Sequence, residues 1–329
     1  MPLAAGAEAD VVRLFGIEPT RVAPVPAATI NEHWWVDAGG RRFVLRRYRK
    51  ERSAAAIDWE HRLLRHAAGL GWPVAVPIAT GGGSTATEVE GSTFALFPFL
   101  EGEPAAVESL AHVRIKGRLL GRLHKDLASF DDGGQRDGFG RAWEIDVFVQ
   151  AAGLGSFNEL LSRFEREYPR LAHAVRREKY RNLRELARLG YGDLAVSPVH
   201  ADYAQDNILF RGPELTGLLD FDLARLDAPA FDIAAALLGD CLELPSAVVL
   251  ASAFIEGYAR SRRMDEREAR LIAPLVRSAT LWLCVYWLLQ WHEGGVAAVA
   301  SIARTVERRF PAVEAMAGPL TEAARRTCE

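Results

Sequence analysis

Asp202, Asn207 and Asp220 are the residues whose types and spacing can do chemistry. Asp202 lies in a loop ahead of the strand-like run Ile208-Leu209-Phe210, and Asn207 stands at the start of that run. Asp220 falls at the end of the returning run, Leu215 to Phe221, beyond the Arg211-Gly212-Pro213 turn. A hairpin brings its open ends together, so Asn207 and Asp220 are expected to be neighbours although the whole hairpin separates them. They offer hard oxygen donors of the kind Mg2+ takes, and Mg2+ leaves the rest of its shell to water and phosphate oxygens. Asp202 then becomes a nearby carboxylate able to orient and deprotonate a hydroxyl. An oxygen-only site with a spare carboxylate suits phosphoryl transfer better than zinc hydrolysis. One loop Asp or Asn is ordinarily a turn former or a helix cap; the three together, followed by Asp227 and Asp232, form the signal.

The elements that must position these groups fall into two blocks. Residues 1–100 read as a small sheet-rich lobe. A short helix over 7–16 and a turn within RVAPVPAAT precede two strands, 31–36 and 41–49, joined through Asp37-Ala38-Gly39-Gly40. A helix over 53–69 carries Ile57, Leu63, Leu64 and Ala67 for packing and ends at Gly69 and Gly71. PVAVPIAT, the turn Gly81-Gly82-Gly83, STATEVEG and residues 92–100 supply further strands. At Phe97 to Pro104 strand periodicity stops, because proline removes a donor and glycine admits unusual dihedrals. Residues 101–329 then read as a larger, mainly helical lobe, with helices near 105–130, 141–153 and 155–188 and three or four more after 230. The hairpin lies between two helical blocks.

Composition narrows the class of function. The 329 residues are 49% hydrophobic and 25% charged, which excludes a disordered chain and a coiled-coil rod. Forty basic against 43 acidic residues leave a net charge of −3, so there is no global field to hold nucleic acid or an anionic membrane. Three scattered cysteines, Cys241, Cys284 and Cys328, make neither a disulfide framework nor a thiolate metal site. The start of the chain lacks the basic flank and apolar run of a secretory signal. The apolar stretch at 280–291 is short for a bilayer of about 30 Å. A cytoplasmic protein that binds neither nucleic acid nor membrane is expected; oligomeric state is not legible. Neither a GxGxxG nor a GxxxxGK[ST] motif occurs, so a dinucleotide fold and a P-loop are both unsupported.

The central motifs carry a resemblance. His200-Ala201-Asp202-Tyr203-Ala204-Gln205-Asp206-Asn207 resembles the H-x-D-x-x-x-x-N catalytic loop of the aminoglycoside phosphotransferase and choline kinase superfamily, and Leu219-Asp220-Phe221-Asp222 resembles its metal-binding strand end. Asp227 to Ala234 resembles that family's D-P-x-x-x-D-L-A segment, with Ala228 intervening. The likeness runs from about residue 30 to about 295, and the N-x-L-F, turn, L-x-G-x-x-D-F run is similar to the bacterial homoserine kinase branch. It implies an α+β, protein-kinase-like bilobal fold that uses ATP and Mg2+. It implies Asp202 as the base and Asn207 and Asp220 as the magnesium ligands. His200 is expected to be a buried imidazole that fixes the loop, and Asp232 to cap a helix and tie the loop to the core. Asp222 has two readings, a second metal ligand or a salt-bridge partner of Arg225.

The same resemblance requires a cation on a small-lobe strand to reach the phosphates, and a helix carboxylate to hold it. Arg46 fills the place where the family usually has lysine, and Glu60 is its partner. Strand alternation puts Arg46 on one face with Val44 and Tyr48, and Arg47 on the other. Phe97 and Phe99 are expected to flank the adenine. For the acceptor, Asp240 and Glu243 with Trp282, Tyr286, Trp287 and Trp291 offer carboxylate and cation–π contacts to a cationic amino alcohol, or else plain core packing. The expected function is a kinase that transfers the γ-phosphate of ATP to a hydroxyl of a small molecule: an amino alcohol such as homoserine or a choline-like compound, or an aminoglycoside-type antibiotic. Two alternatives share these residues. One is a protein kinase; the other, suggested by arginine at 46, is a nucleotide-binding regulatory protein without transfer activity.

Overall fold

The computed structural model describes residues 7–26, 31–104, 106, 109–131 and 133–328. The end of the expected RVAPVPAAT turn and the expected helix start at 105 lie outside them. The chain divides into two compact units, residues up to Glu103 together with Leu209–Leu219, and Pro104–Ile208 with Asp220–Glu329. The tip of the hairpin thus belongs with the first unit, whereas its open ends, with Asn207 and Asp220, belong with the second.

In the first unit, α1 (Ala7–Arg13) precedes β1 (Arg21–Pro24), β2 (Glu32–Ala38), β3 (Arg41–Arg47), α2 (Ala54–Gly69), β4 (Thr87–Val89) and β5 (Ser92–Pro98). The strands form an antiparallel sheet in the order β1-β2-β3-β5-β4. The β2–β3 turn is tighter than expected. Asp37 and Ala38 remain in the strand, and Gly39 and Gly40, at φ of 54° and 73°, form a two-residue turn that favours glycine at both positions. One sheet face closes on α1 through Val36, Phe43, Leu45, Phe94 and Leu96 with Val11, Val12 and Phe15. Ser53 caps α2 by accepting the Ala56 N–H at 3.1 Å. PVAVPIAT forms no strand of its own: Pro73 and Pro77 withhold donors, and the segment is tied down by an isolated bridge at Val74, by the Leu218 N–H to the Pro73 carbonyl and by the Ile78 N–H to the Leu96 carbonyl. β6 (Glu103–Pro104) joins β8 (Ile208–Arg211) and β9 (Glu214–Leu218) in a small sheet ordered β6-β8-β9.

The second unit holds α3 (Leu110–Leu127), α4 (Ile145–Ala151), α5 (Phe157–Glu165), α6 (Pro169–Arg188), the paired strands β7 (Ser197–Val199) and β10 (Arg225–Asp227), and α7 (Pro229–Asp240). These are followed by α8 (Ala247–Ala259), α9 (Glu266–His292), α10 (Ala297–Arg304) and α11 (Phe310–Arg325). The single helix expected over 155–188 is two, because Pro169 cannot continue α5 and instead opens α6 at its first turn. The apolar stretch at 280–291 belongs to a 27-residue helix, α9, long and apolar enough by length and composition to cross a membrane and mostly buried inside the protein. Its Leu281, Cys284, Val285 and Leu288 pack with Val149, Phe157, Leu161 and Phe164 into one hydrophobic core.

α3 and α8 approach at backbone distance. A Cβ on Gly117 would fall on the Phe254 carbonyl, and one on Gly257 would fall on the Arg114 carbonyl. Replacing a helical glycine by alanine ordinarily stabilises by about 1 kcal/mol. Here the sign reverses: Gly117→Ala and Gly257→Ala are each expected to lower the melting temperature by several degrees, as calorimetry would show, because two backbones must separate.

Candidate active site

The loop from His200 to Asn207 is built on α7. Asp232 accepts the backbone N–H of His200 at 2.7 Å and of Ala201 at 2.5 Å, and Asp240 accepts that of Gln205 at 2.9 Å. The two carboxylates sit about two turns apart on one helix, so the loop is strung between them. Each is met by a cationic or proton-bearing side chain of α3. His124 Nε2 lies 2.9 Å from Asp232, and Lys116 pairs with Asp240. His124 Nδ1 meets the Tyr258 hydroxyl at 2.8 Å, which links α8 to the same network. The expectation that Asp232 caps its helix does not hold. Ala228 occupies the cap position with Pro229 behind it, and the Asp232 side chain is spent on the loop instead.

This anchoring holds Ala201 at φ 64°, a conformation rarely adopted by a residue with a Cβ. Asp202 receives the Asn207 amide nitrogen at its backbone carbonyl (2.9 Å) and at its carboxylate (3.0 Å). With Nδ2 so engaged, Oδ1 is the Asn207 atom suited to a cation. His200 is fully buried against Phe221, and its Nδ1 accepts the Asp202 N–H at 3.3 Å, a loop-fixing part as expected. Asp220, at φ 55°, accepts the Asp222 N–H at 3.3 Å and opens a single turn over Phe221–Leu223. Burial, and after it the Asp220 charge, raise the Asp202 carboxyl above the usual range, against the pull of His200 and Asn207. A raised carboxyl beside a second carboxylate is suited to accept a proton and to adjoin a divalent cation. Among the described residues no three His, Cys, Asp or Glu gather as a closed metal cage. Asn207 and Asp220 are two oxygen donors, a set that fits Mg2+ with phosphate and water completing its shell.

Several supports of this loop escaped the sequence. The buried guanidinium of Arg136 donates to the carbonyls of Phe221, Asp222 and Ala224, at 3.2, 2.9 and 2.9 Å, and so fixes the turn after Asp220. Lys116 and His124 read only as members of an amphipathic helix, since their partners lie over 100 residues away. Arg225 pairs with Asp227 at 3.8 Å, between the rings of Phe231 and Trp282, and not with Asp222. The acceptor residues expected from sequence are otherwise engaged. Asp240 holds Gln205 and Lys116, Glu243 holds Arg304 and Arg309, and Trp282, Trp287 and Trp291 pack against the core. Tyr286 stands edge to face with Trp287. Burial pushes the Cys241 and Cys284 thiols up to about 12, which leaves both inert.

In the first unit the expected pair forms. Arg46 Nη1 donates to Glu60 Oε1 at 3.0 Å, with Glu60 almost fully buried. Arg47 leaves the opposite face and pairs with Glu32 over the Trp34 ring. Phe97 and Phe99 part company. Phe97 is buried against His61 and beneath Arg46, while Phe99 is more than a third exposed, beside Trp35 and Arg42.

Residues 21–271 match the model of the phosphotransferase enzyme family. The chain belongs to that family. Homoserine kinase of Phenylobacterium zucineum is 30% identical over 264 residues, which cover 80% of this chain and 77% of that protein. Among solved structures, an amicoumacin kinase in complex with AMP-PNP and Ca2+ superposes with a TM-score of 0.70 at 16% identity, covering 94% of this chain and 92% of the other. A microcompartment-associated aminopropanol kinase gives 0.68 at 18%, covering 98% and 100%. These last two likenesses carry the protein-kinase-like fold. The chain is a small-molecule kinase, an ATP-dependent phosphotransferase acting on an alcohol group. Nothing in the comparisons favours a protein kinase over it.

The anchoring of the loop makes a testable demand on Asp232. Burial opposes its charge, but the His124 hydrogen bond and the nearby His200 outweigh burial and hold the carboxyl below its ordinary range. A depressed carboxyl stabilises the fold above the unfolded value, near 4, and this contribution is lost as pH falls through the folded value. Asp232→Asn is therefore expected to cost about 3 kcal/mol at neutral pH. Urea titrations across pH should show a constant deficit from pH ~8 to ~5 that shrinks in stronger acid.

Proposed function

We propose that this enzyme transfers the γ-phosphate of ATP to the hydroxyl of a small amino alcohol, with homoserine the first candidate and Mg2+ the cation. The observation that carries the chemistry is Asp202, a half-buried carboxylate with a raised proton affinity, fixed against the Asn207 amide on a loop whose backbone is anchored on both sides. The acceptor class is supported by the 30% identity to a homoserine kinase and by the shared fold with an aminopropanol kinase. Aminoglycoside-type acceptors have weaker support, a structure from Alicyclobacillus acidocaldarius at 18% identity and a TM-score of 0.65.

In this reading Asp202 orients the acceptor hydroxyl and takes its proton. The oxygen attacks the γ-phosphorus, the bond to the β–γ bridging oxygen breaks, and ADP leaves with that electron pair. Asn207 Oδ1 and Asp220 would hold Mg2+, whose part is to neutralise charge on the phosphate oxygens. Arg46, steadied by Glu60, would grip the phosphates. Phe99 is the exposed ring available to the adenine, and Phe97 serves mainly to seat Arg46. The unit up to Glu103 would bind the nucleotide, and the helical unit would supply the base, the metal ligands and the acceptor site. Its substrates place such an enzyme in the cytoplasm.

Incubation with ATP and Mg2+ and a panel of homoserine, aminopropanol, choline and an aminoglycoside, read by mass spectrometry, should show one phosphoryl group added to an amino alcohol. Asp202→Ala is expected to lower kcat by about 10²- to 10⁴-fold. ATP–Mg2+ affinity should change by no more than about twofold, since the replaced group is assigned to the acceptor. Its melting temperature should not fall, because a partly desolvated carboxylate beside the Asp220 charge is removed. Undiminished turnover in Asp202→Ala would overturn the assignment.

A further inference from the structure

Arginine at position 46 raises a question that the pair with Glu60 alone does not answer. An ammonium needs only a counter-charge to be placed, because it is a point charge on a flexible stem. A guanidinium is a plane with donors at fixed angles, and its usefulness to a phosphate depends on how that plane is set. One tie, at Nη1, leaves rotation of the plane possible. The structure supplies a second tie from the neighbouring strand. His33 on β2 lies directly opposite Arg46 on β3 in the antiparallel register, so both side chains leave the same sheet face. Arg46 Nε donates to His33 Nε2 at 3.1 Å, while Nη1 donates to Glu60 at 3.0 Å. The guanidinium carbon lies over the rings of Phe97 and Tyr48, 5.1 and 5.7 Å from their centroids. Behind them Tyr48 and His61 share a hydrogen bond of 3.0 Å, and His61 reaches Thr85 at 2.7 Å, so the seat is itself held in place.

We propose that His33 is a positioning residue for nucleotide binding: as a neutral imidazole with its proton on Nδ1, it accepts from Arg46 Nε and fixes the plane of the guanidinium that grips the phosphates. This deepens the reading of Arg46 given above and rests on it. His33 touches no reacting atom; it acts through Arg46. Its importance therefore depends on arginine being at 46, since a lysine there has no Nε–H to place.

The test has two arms. The first needs neither ligand nor variant. The 15N chemical shifts of the His33 imidazole in the folded wild-type chain should show Nε2 unprotonated and Nδ1 protonated, and a proton on Nε2 would overturn the proposal. The second measures binding of AMP-PNP with Mg2+ by calorimetry, with the melting temperature of each variant alongside. His33→Phe should weaken binding roughly 5- to 10-fold with little change in melting temperature. His33→Gln, which restores an acceptor, should stay within about twofold of wild type. In the Arg46→Lys background His33→Phe should cause no further loss. An equal loss in both backgrounds, or none in the Arg46 protein, would overturn the positioning role while leaving the nucleotide reading intact. A wild-type chain with the expected imidazole shifts but no affinity for AMP-PNP would overturn the nucleotide reading, and the role of His33 in binding with it.

Discussion

A catalytic loop must aim its side chains at a substrate while its own backbone N–H groups still find partners in an interior without water. Here α7 meets that demand with two buried aspartates, Asp232 under His200 and Ala201 and Asp240 under Gln205. An unpaired buried N–H costs about 1–3 kcal/mol, so the loop has a strong reason to stay seated. Two buried carboxylates would be costly in turn, and α3 answers each, with His124 at one and Lys116 at the other, again about two turns apart. The two helices thus face each other across a pair of polar rungs, with the loop strung along them. At the second rung burial outweighs mutual attraction, drawing the Lys116 ammonium down and the Asp240 carboxyl up. That rung positions the loop more than it stabilises the fold.

Much else follows from keeping those rungs in register. The glycines that let α3 lie on α8 bring His124 to Tyr258, and Arg136 pins the turn beyond Asp220 by three carbonyls. The two non-glycine residues of this region with positive φ, Ala201 and Asp220, stand where the chain must turn sharply to present Asp202 and Asp220. Strain at those positions persists because the surroundings over-determine the backbone. The first unit solves a parallel problem differently. It seats a guanidinium by Glu60 and His33 and encloses it with Phe97 and Tyr48, so that arginine can stand where a lysine is usual.

The parts of this arrangement that were legible in the sequence are local. The H-x-D-x-x-x-x-N spacing, the hairpin that returns Asp220 and the Arg46 and Glu60 pair all rest on residues close in sequence or on one hairpin. Gly69 and Gly71 likewise mark the end of α2 where it is found. What was not legible depends on distant partners. Asp240 and Glu243 looked available to an acceptor because nothing in the chain order announces Lys116, Arg304 or Arg309. The aromatic stripe of α9 could be core or binding surface by its spacing alone, and the fold packs Trp282, Trp287 and Trp291, each half-buried, against the core. The missed break at Pro169 had a local signal, a proline in the middle of a supposed helix.

The backbone of the loop is held by α7, and amide hydrogen exchange of the native chain reads that anchoring out residue by residue. If Asp232 and Asp240 hold the loop, the amides of His200, Ala201 and Gln205 will exchange as slowly as those of α7 itself, although each donates to a side chain and none to a helix or strand ladder. Exchange of these three at the rate of exposed surface loops, with α7 still protected, would mean that the two aspartates do not hold the loop.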